Sequence, residues 1–452
     1  MSLSGNGQAR FAVAAALAVT AACSDSTTMP AVRSVELRLP HDSLFVGRTV
    51  SAVAVAIGDS SVVARPGFIW TSSDTNVAVV DAAGTVHGLN PGTVVIRAEF
   101  GNQREAFTLR VVTQRADGGV TFAEGSRSYG RGACAISTAG EVYCRPSPSA
   151  ADTAPVFTRM PGAAGITFTE VHSTQTTCAL STGGTIHCWG SNSHWIFGSR
   201  LPQTNAGEPT QVNARGLLFS RITYNGHSQI CGISRADAVV HCWGHNDFYQ
   251  LMRPPKMSSD SLATPVAGGH AAIDVSTTSF STCLVDLSGA AWCTGGFGAS
   301  PTSLGIDASS EIIGVGEPQP VLGVVRFAAL SAGEGFQCGL TADGEAWCWG
   351  INTGGRLGIG TSRTPSAPGP QRVAGDLRFA SVTVSYPYAA CGITTDDDLY
   401  CWGAFTPVAL SERLGARSMT PYQLMRGVKF RALTRSLDDV CGITLGGTIL
   451  CW

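Results

Sequence analysis

Short apolar runs separated by turn-forming residues predict strands along nearly the whole chain. In the first such region, residues 32–112, the runs are four to eight residues long and are broken by Gly, Asp, Asn and Pro. They are Val35 to Leu39, Val50 to Ile57, Phe68 to Ser72, Val77 to Val80, Thr85 to Leu89, Thr93 to Phe100 and Ala106 to Val112. Seven short strands at this spacing predict one β-sandwich domain.

Beyond residue 119 the pattern changes to a repeated unit bracketed by two cysteines. The clearest copy, Cys338 to Trp349, reads Cys-Gly-Leu-Thr-Ala-Asp-Gly-Glu-Ala-Trp-Cys-Trp, with a turn sequence at its centre. Such a unit predicts a β-hairpin. The pairs are Cys134 and Cys144, Cys178 and Cys188, Cys231 and Cys242, Cys283 and Cys293, Cys338 and Cys348, Cys391 and Cys401, and Cys441 and Cys451.

The hairpin register can be tested from the sequence. If each cysteine pair is directly opposed, the positions two residues inward must share a face. They are apolar in every hairpin: Ile136 and Val142, Leu180 and Ile186, Ile233 and Val240, Val285 and Ala291, Leu340 and Ala346, Ile393 and Leu399, Ile443 and Ile449. A one-residue slip would reverse the faces. Opposed residues lie within disulfide distance, so we predict seven bridges between nearest cysteines.

Further strands flank each hairpin. Upstream of the seven hairpins we predict Val120 to Ala123, Ile166 to Val171, Leu218 to Thr223, Ala272 to Ser276, Val325 to Leu330, Arg378 to Val384 and Val428 to Leu433. Downstream strands led by proline are Pro209 to Val212, Pro320 to Val324, Pro370 to Val373 and Pro421 to Met425. Successive pairs begin 44 to 55 residues apart. Four strands per repeat predict a seven-bladed β-propeller over residues 120–452.

The seventh repeat has no downstream strand of its own. We therefore expect Val111 to Gly119, which includes the 113–119 linker, to pair with the last hairpin and close the ring. The predicted fold class is all-β, an Ig-like β-sandwich followed by a seven-bladed propeller with one hairpin disulfide per blade.

Two segments resemble known families. Cys338 to Gly360 is similar to the repeat of the regulator of chromosome condensation family, whose members form seven-bladed propellers. Trp70 to Asp74, Val77 to Asp81 and Pro91 to Thr93 resemble the bacterial Ig-like domain of group 2. The second resemblance implies a surface spacer or an adhesive module, and we expect a passive stalk over residues 32–112. The first implies protein binding, since secreted bacterial relatives include an inhibitor of β-lactamase.

Cysteine usage and the N-terminus predict export. Fifteen cysteines suit an oxidising compartment. Arg10 precedes an apolar run, Phe11 to Val19, which is followed by Thr20-Ala21-Ala22-Cys23, as in a signal peptide. The small residues before Cys23 resemble a bacterial lipobox, so we predict a signal peptide over 1–22, lipidation of Cys23 and a tether over 23–31. Thr20 departs from that motif, and plain secretion is the alternative. We expect the cell envelope or surface, with a lipid bilayer contacted through the anchor.

Charge and motifs exclude several classes. The formal net charge of -2 provides no basic face for nucleic acid, so none is expected as a partner. Export also removes the GTPase and chromatin partners of the nuclear family members. His187 and His241 are interpreted as packing residues, and Asp396 to Asp398 as a solvated turn. Zinc at His241 and His245 would compete with the disulfide for Cys242. We predict no catalytic residues, no metal site and no cofactor.

The remaining candidate is a loop surface at one rim of the propeller. Aligning Asn192, Asn246 and Asn352 puts Phe197, Leu251 and Leu357 at one position, which we interpret as a buried anchor. The same alignment puts Trp195 and Tyr249 where Gly355 sits, with His194 and Phe248 beside them. Trp and Tyr are favoured interface anchors. The alternative interpretation is local packing in two enlarged loops.

We therefore expect a monomeric, non-enzymatic binding protein for an extracellular protein or glycan. The alternative is an extracellular enzyme, for example one active on polysaccharides, that uses the central channel. It predicts His, Asp, Glu or Arg facing that channel.

Overall fold

The architecture is known from a computed structural model. It describes residues 32–38, 43–45, 49–58, 67–112, 120–125, 133–145, 157–174, 176–192, 195–198, 206–224, 229–254, 259–296, 301–307, 314–333, 335–385, 389–404, 417–435 and 440–451. Cys23, His194 and the linker 113–119 lie outside these ranges.

The described residues of the first domain form a sandwich of nine strands. They are β1 (Ser34–Arg38), β2 (Ser43–Phe45), β3 (Thr49–Ser51), β4 (Val53–Ile57), β5 (Ile69–Ser72), β6 (Ala78–Val80), β7 (Thr85–Gly88), β8 (Gly92–Phe100) and β9 (Gln103–Val112). The sheets have the orders β2-β9-β8-β5, β3-β7-β6 and β1-β4. Val86, Ile96 and Leu109 are fully buried between them, and their cluster of buried side chains continues into the last strands of the second domain.

Two features of the sandwich differ from the sequence prediction. The predicted strand Val50 to Ile57 is interrupted at Ala52, whose N–H donates to Gly84 O at 2.9 Å. Its two halves belong to different sheets, because β3 pairs with β7 and β4 pairs with β1. Strand β2 was not predicted, since it has only three residues and is held by parallel pairing with β9.

The second domain is the propeller. Its strands are β10 (Phe122–Gly125), β11 (Ala133–Ser137), β12 (Val142–Arg145), β13 (Thr158–Arg159), β14 (Phe168–Ser173), β15 (Thr176–Ser181), β16 (Ile186–Gly190), β17 (Ala206–Gln211), β18 (Phe219–Tyr224), β19 (Gln229–Ser234), β20 (Val240–His245), β21 (Ser259–Pro265), β22 (Ala272–Thr277), β23 (Ser281–Asp286), β24 (Ala291–Gly296), β25 (Gly314–Pro320), β26 (Ala329–Gly333), β27 (Phe336–Leu340), β28 (Ala346–Ile351), β29 (Ser366–Arg372), β30 (Phe379–Ser385), β31 (Ala389–Thr394), β32 (Leu399–Ala404), β33 (Arg417–Leu424), β34 (Phe430–Arg435), β35 (Val440–Thr444) and β36 (Ile449–Cys451).

Consecutive groups of four strands form blades one to six, and within the described residues blade seven consists of β34, β35 and β36. The first strand of every blade is innermost, and each one contacts the first strand of the next blade around the full ring, including β34 with β10. All-β architecture with an Ig-like sandwich and a seven-bladed propeller, the predicted fold class, is confirmed.

The ring is closed by direct packing of blade seven on blade one. Phe122, Phe157, Cys441, Ile443 and Ile449 share one buried cluster. The Phe122 N–H donates to Gly447 O at 2.8 Å. Val111 and Val112, the described part of the segment that we expected to close the ring, pair with β2 of the sandwich instead. The rest of that prediction concerns 113–119, outside the described residues.

The hairpin register is the predicted one in all seven blades. Each cysteine lies opposite its predicted partner, and all seven apolar pairs are opposed two residues inward. Six disulfides join the predicted partners, with Cα atoms 4.0 to 4.1 Å apart. Cys441 is also disulfide-bonded, and its backbone partner is Cys451.

The proline-led strands were predicted too late in the chain. The prediction Pro320 to Val324 is wrong, because β25 ends at Pro320, Val321 forms only an isolated bridge with Ile306, and residues 322–324 form a bend. The outer strands of blades two, five and six likewise begin three or four residues before the proline. In each of these three blades a register shift separates the second cysteine from the glycine two positions later. The outer strand starts opposite that glycine in blade two and opposite the residue after it in blades five and six.

Helical structure is minor among the described residues. A one-turn helix, α1, covers Pro301–Leu304, and 3-10 turns cover Ala267–Gly269 and Thr353–Gly355. In the described ranges, every helix is too short to cross a bilayer.

Candidate functional site

The two faces of each cysteine hairpin have different neighbours. In blade five, Cys338 and Cys348 belong to a buried cluster shared with blade six. Trp349 belongs to another, shared with blade four, and its indole N–H donates to Leu304 O at 3.0 Å. Trp243 in blade three does the same toward blade two, donating to Ile196 O at 2.8 Å. The cysteine and tryptophan unit therefore holds adjacent blades together.

Three loops at the rim share one internal anchor. The Oδ1 atom of an asparagine accepts the backbone N–H of the residue five positions later. The distances are 3.0 Å for Asn192 and Phe197, 2.9 Å for Asn246 and Leu251, and 3.2 Å for Asn352 and Leu357. The three apolar residues are at most 2% exposed. The alignment made from sequence is thus the structural one, and its anchor residues are buried as expected.

The aligned position between asparagine and anchor has a left-handed backbone in all three loops. Its φ is 60° at Trp195, 63° at Tyr249 and 78° at Gly355. Glycine adopts this region freely, whereas a bulky L-residue is disfavoured there. Blades two and three therefore keep a large aromatic side chain at a position that suits glycine, despite a backbone cost of about 1 kcal/mol or more.

The two aromatic rings have different surroundings. Tyr249 packs on blade four, because a Cβ added at Gly314 would lie 2.5 Å from its Cδ2 atom, and one at Gly316 would lie 3.0 Å from its Cδ1 atom. Trp195 is 36% exposed, among the large apolar side chains that remain accessible. The packing interpretation thus accounts for Tyr249, and Trp195 is the more accessible of the two.

Phe248 belongs to a small aromatic group at the rim of blades three and four. Its ring lies edge-on to Phe280, with centroids 5.2 Å apart, and to His245 at 5.9 Å. Phe280 was missed from sequence, because it sits 32 residues away in the loop between the first two strands of blade four. The described part of the rim is therefore aromatic over blades two to four.

The loop of blade three is held rigidly. Gln250 is fully buried, its Oε1 accepts the Phe248 N–H at 2.9 Å, and its Nε2 lies 3.0 Å from His245 Nδ1. Arg253 contacts Asp260 Oδ2 at 2.7 Å and donates to Cys242 O. Burial lowers the pKa of Arg253, and the Asp260 carboxylate opposes that shift. This side of the rim is preorganised.

Two carboxylates on the innermost strands connect neighbouring blades. Glu170 Oε2 accepts the Ile222 N–H at 2.9 Å, and Asp274 Oδ2 accepts the Leu330 N–H at 2.7 Å. Asp274 Oδ1 also lies 2.7 Å from Arg221 Nε. Both carboxylates therefore hold neighbouring blades together through hydrogen bonds. The oxygens that accept these bonds are not available for acid-base catalysis.

The remaining candidate ligands have local partners too. His187 lies edge-on to Phe168 at 5.8 Å, and burial lowers the pKa of its imidazole. The His241 ring lies 3.1 Å from Val239 O. Asp398 pairs with Lys429 Nζ at 2.9 Å. In the described ranges, no three His, Cys, Asp or Glu side chains come close enough together to hold a metal ion.

Comparison with known proteins identifies both domains. Residues 31–111 match the bacterial Ig-like domain (group 2), and residues 327–356 match the regulator of chromosome condensation (RCC1) repeat. The Arabidopsis thaliana ultraviolet-B receptor UVR8 is 27% identical over 165 residues, 35% of this chain and 34% of the receptor. The mitochondrial RCC1 domain-containing protein RUG3 of the same plant is 26% identical over 119 residues, 26% of each chain. The chain thus spans a quarter to a third of these relatives.

Solved structures show the same propeller fold. Prp20p from Saccharomyces cerevisiae superimposes with a TM-score of 0.57 at 15% identity, over 72% of this chain and 80% of Prp20p. Human WBSCR16 gives 0.59 at 13% identity, over 77% and 92%. The second domain is therefore a propeller of the RCC1 type, and the first is a bacterial Ig-like domain of group 2. Both resemblances seen in the sequence are confirmed, and the pair has the architecture of an interaction module.

Proposed function

We propose that this protein is an exported, lipid-anchored binding protein of the bacterial cell surface, in which the Ig-like domain is a stalk and the propeller binds another protein. Six hairpin disulfides indicate an oxidising environment outside the cytoplasm. The layout up to Cys23 supports export and anchoring. Propellers of this type bind proteins, as Prp20p illustrates with its binding to Gsp1p and histones.

The observation that carries the proposal is the accessible Trp195 at φ 60°. An aromatic side chain is retained at a glycine-like position despite the backbone strain, and 36% of its surface stays accessible to a partner. Trp is also the side chain most often found as an interface hot spot. We therefore assign the partner surface to the rim of blades two to four. Trp195 is its anchor, with His194 beside it in sequence and Phe248, Tyr249 and Phe280 on the neighbouring blades.

The test uses Trp195→Gly, because glycine removes the indole and relieves the backbone at once. Wild-type and variant protein are used to capture partners from the surface fraction and medium of the source bacterium. We expect the variant to recover the wild-type partners at least about tenfold less well, as for loss of a hot-spot side chain. Leu287→Ala is the matched control, because Leu287 is 65% exposed in a hairpin turn of blade four, away from the rim loops.

Three results would decide against parts of the proposal. Equal recovery by wild type and Trp195→Gly would reject the rim as the partner surface. Recovery that survives protease treatment of the fraction but not removal of its glycans would replace the protein partner with a glycan. For the anchor, Cys23→Ser should leave the membrane fraction for the soluble one, and an unchanged distribution would reject lipidation.

A further inference from the structure

The histidine at the base of the rim loop of blade three is held in one tautomer. The Phe248 N–H only donates, so the Gln250 side-chain atom that lies 2.9 Å from it is the amide oxygen. The amide nitrogen of Gln250 then points at His245 Nδ1, 3.0 Å away. Because that nitrogen is a donor, Nδ1 must accept and carries no proton. The proton of the neutral ring is therefore on Nε2.

The other ring nitrogen completes a chain of three hydrogen bonds. His245 Nε2 lies 2.9 Å from Asp247 Oδ2, so its N–H donates to the carboxylate. The Gln250 amide donates to His245, and the Phe248 N–H donates to Gln250. All three bonds are satisfied together when the imidazole is neutral.

A second proton on the ring breaks this chain. It would sit on Nδ1 and face the amide N–H of Gln250, so that two donors would oppose each other. Rotating the amide would give Nδ1 an acceptor but would turn the nitrogen toward the Phe248 N–H. Gln250 is fully buried, and its backbone carbonyl accepts a neutral group, Thr282 Oγ1, at 2.6 Å. One bond of a buried polar group is therefore lost in either orientation.

The charged groups around the ring do not remove this conflict. Asp247 attracts a cation, but it contacts Nε2, which carries a hydrogen in both states. Arg253 and Asp260, on the same loop and on β21, pair with each other at 2.7 Å. Phe280, which packs on the loop from blade four, is uncharged. The His245 side chain is 18% exposed, so solvent protons reach it.

The aligned loops of blades two and five lack this pair of side chains. They share the asparagine anchor, but the positions of His245 and Gln250 hold Ser191 and Ile196 in blade two, and Ile351 and Arg356 in blade five. The conflict on protonation is therefore specific to the loop of blade three.

We propose that His245 makes the blade-three rim loop an acid-sensitive switch. The neutral imidazole holds Phe248 and Tyr249 in place, and protonation releases them. Histidine is the side chain whose charge ordinarily changes between about pH 5 and pH 8, so the loop is ordered at neutral pH and loosens as the pH falls. That acid would also release a bound partner rests on the proposed function of the rim, whereas the response of the loop does not.

The experiment is amide hydrogen exchange, followed by mass spectrometry, on the full oxidised chain at about pH 7.5 and about pH 5. Rates are corrected for the intrinsic effect of pH on exchange. The loop Asn246 to Arg253 is compared with the aligned loop Asn352 to Gly360 of blade five. We expect protection of the blade-three loop to fall at least about tenfold at the lower pH, and protection of the blade-five loop to stay unchanged.

Three variants test the origin of the effect. His245→Asn keeps an oxygen that accepts from Gln250 but does not titrate, so it should remove the acid effect. Gln250→Glu offers an acceptor both to the Phe248 N–H and to a protonated His245, so protection should hold or rise at the lower pH. His270→Asn is the matched control, because His270 lies in the connection between blades three and four, and it should respond to acid as the wild type does.

Equal protection of the blade-three loop at the two pH values overturns the proposal. An undiminished acid effect in His245→Asn or in Gln250→Glu does the same, and so does its disappearance in His270→Asn. These measurements need no partner, so their failure is distinct from a failure of the rim to capture one, which Trp195→Gly tests.

Discussion

One residue in each hairpin turn must adopt the left-handed backbone region. Five blades use glycine there, for example Gly344 with φ 85°. Blade six has Asp397 at this position with φ 64°, and its N–H donates to Thr394 O at 2.9 Å, as in the glycine turns. Asp tolerates this conformation better than most residues but still at a cost.

We expect Asp397→Gly to stabilise the propeller by about 0.5–1 kcal/mol, since relief of the left-handed conformation exceeds the added flexibility of the unfolded chain. Calorimetric melting of the oxidised protein measures the effect. Gly344→Asp is the reciprocal control and should destabilise, because a Cβ there would lie 3.0 Å from Phe379 O. A lower melting temperature for Asp397→Gly would show that the aspartate contributes a contact which outweighs the strain.

Contacts between single residues could be predicted from the sequence where both residues lie in the same hairpin. The pairing of Leu340 with Ala346 follows from a strict two-residue alternation within one hairpin. The packing of Tyr249 on Gly314 does not, because it joins residues 65 positions apart in neighbouring blades. The loop alignment could place Tyr249 at a left-handed position but could not show what covers it.

Between elements, tryptophan is the recurrent connection. Trp243, Trp349 and Trp402 are all fully buried against the preceding blade. The first two donate their indole N–H to a backbone carbonyl of that blade. Among the described residues, Trp402 Nε1 has no acceptor. The three tryptophans are therefore equally buried, and they differ in whether the indole N–H donates a hydrogen bond.

Replacement by phenylalanine isolates that bond. We expect Trp243→Phe to cost about 1–2 kcal/mol more than Trp402→Phe, because only the first leaves a buried carbonyl, Ile196 O, without its donor. The two changes remove the same ring volume, so their cavity costs are comparable. Denaturant unfolding under oxidising conditions measures both. Equal losses would mean that the indole N–H contributes nothing beyond the packing of the ring.

Strand identity was predictable from sequence wherever a strand has its partner in the same hairpin. The predictions failed where the partner is remote. Strand β2 exists because β9, far along the chain, lies parallel to it and pairs Ser43 with Arg110, and no local alternation marks it. The outer strand β25 begins at Gly314 because it pairs with Gly296 across a register shift, so the later proline was a poor guide to its start.

The two domains of the molecule differ in their disulfide content. The sandwich over 32–112 contains no cysteine, whereas every propeller hairpin carries a pair. Each bridge closes a loop of ten or eleven residues, for which chain entropy predicts roughly 2–3 kcal/mol of stabilisation. The ring also depends on contact between its first and last blades, because blade seven packs directly on Phe122.

Reduction should therefore act on the two domains unequally. We expect a reductant strong enough to open the bridges to lower the stability of the propeller by several kcal/mol, since several loops lose their constraint together. The sandwich should keep its fold and be affected only through the buried cluster that it shares with blades six and seven. Hydrogen exchange measured by mass spectrometry follows each domain separately, with protection expected to fall in the hairpins and to persist in β8 and β9. Equal loss of protection in both domains would mean that the sandwich folds only on an intact propeller.

Mass spectrometry of unreduced peptides tests the pairing of the cysteines. It should find only bridges between nearest cysteines, including Cys441 with Cys451. Crossed bridges would contradict the hairpin register.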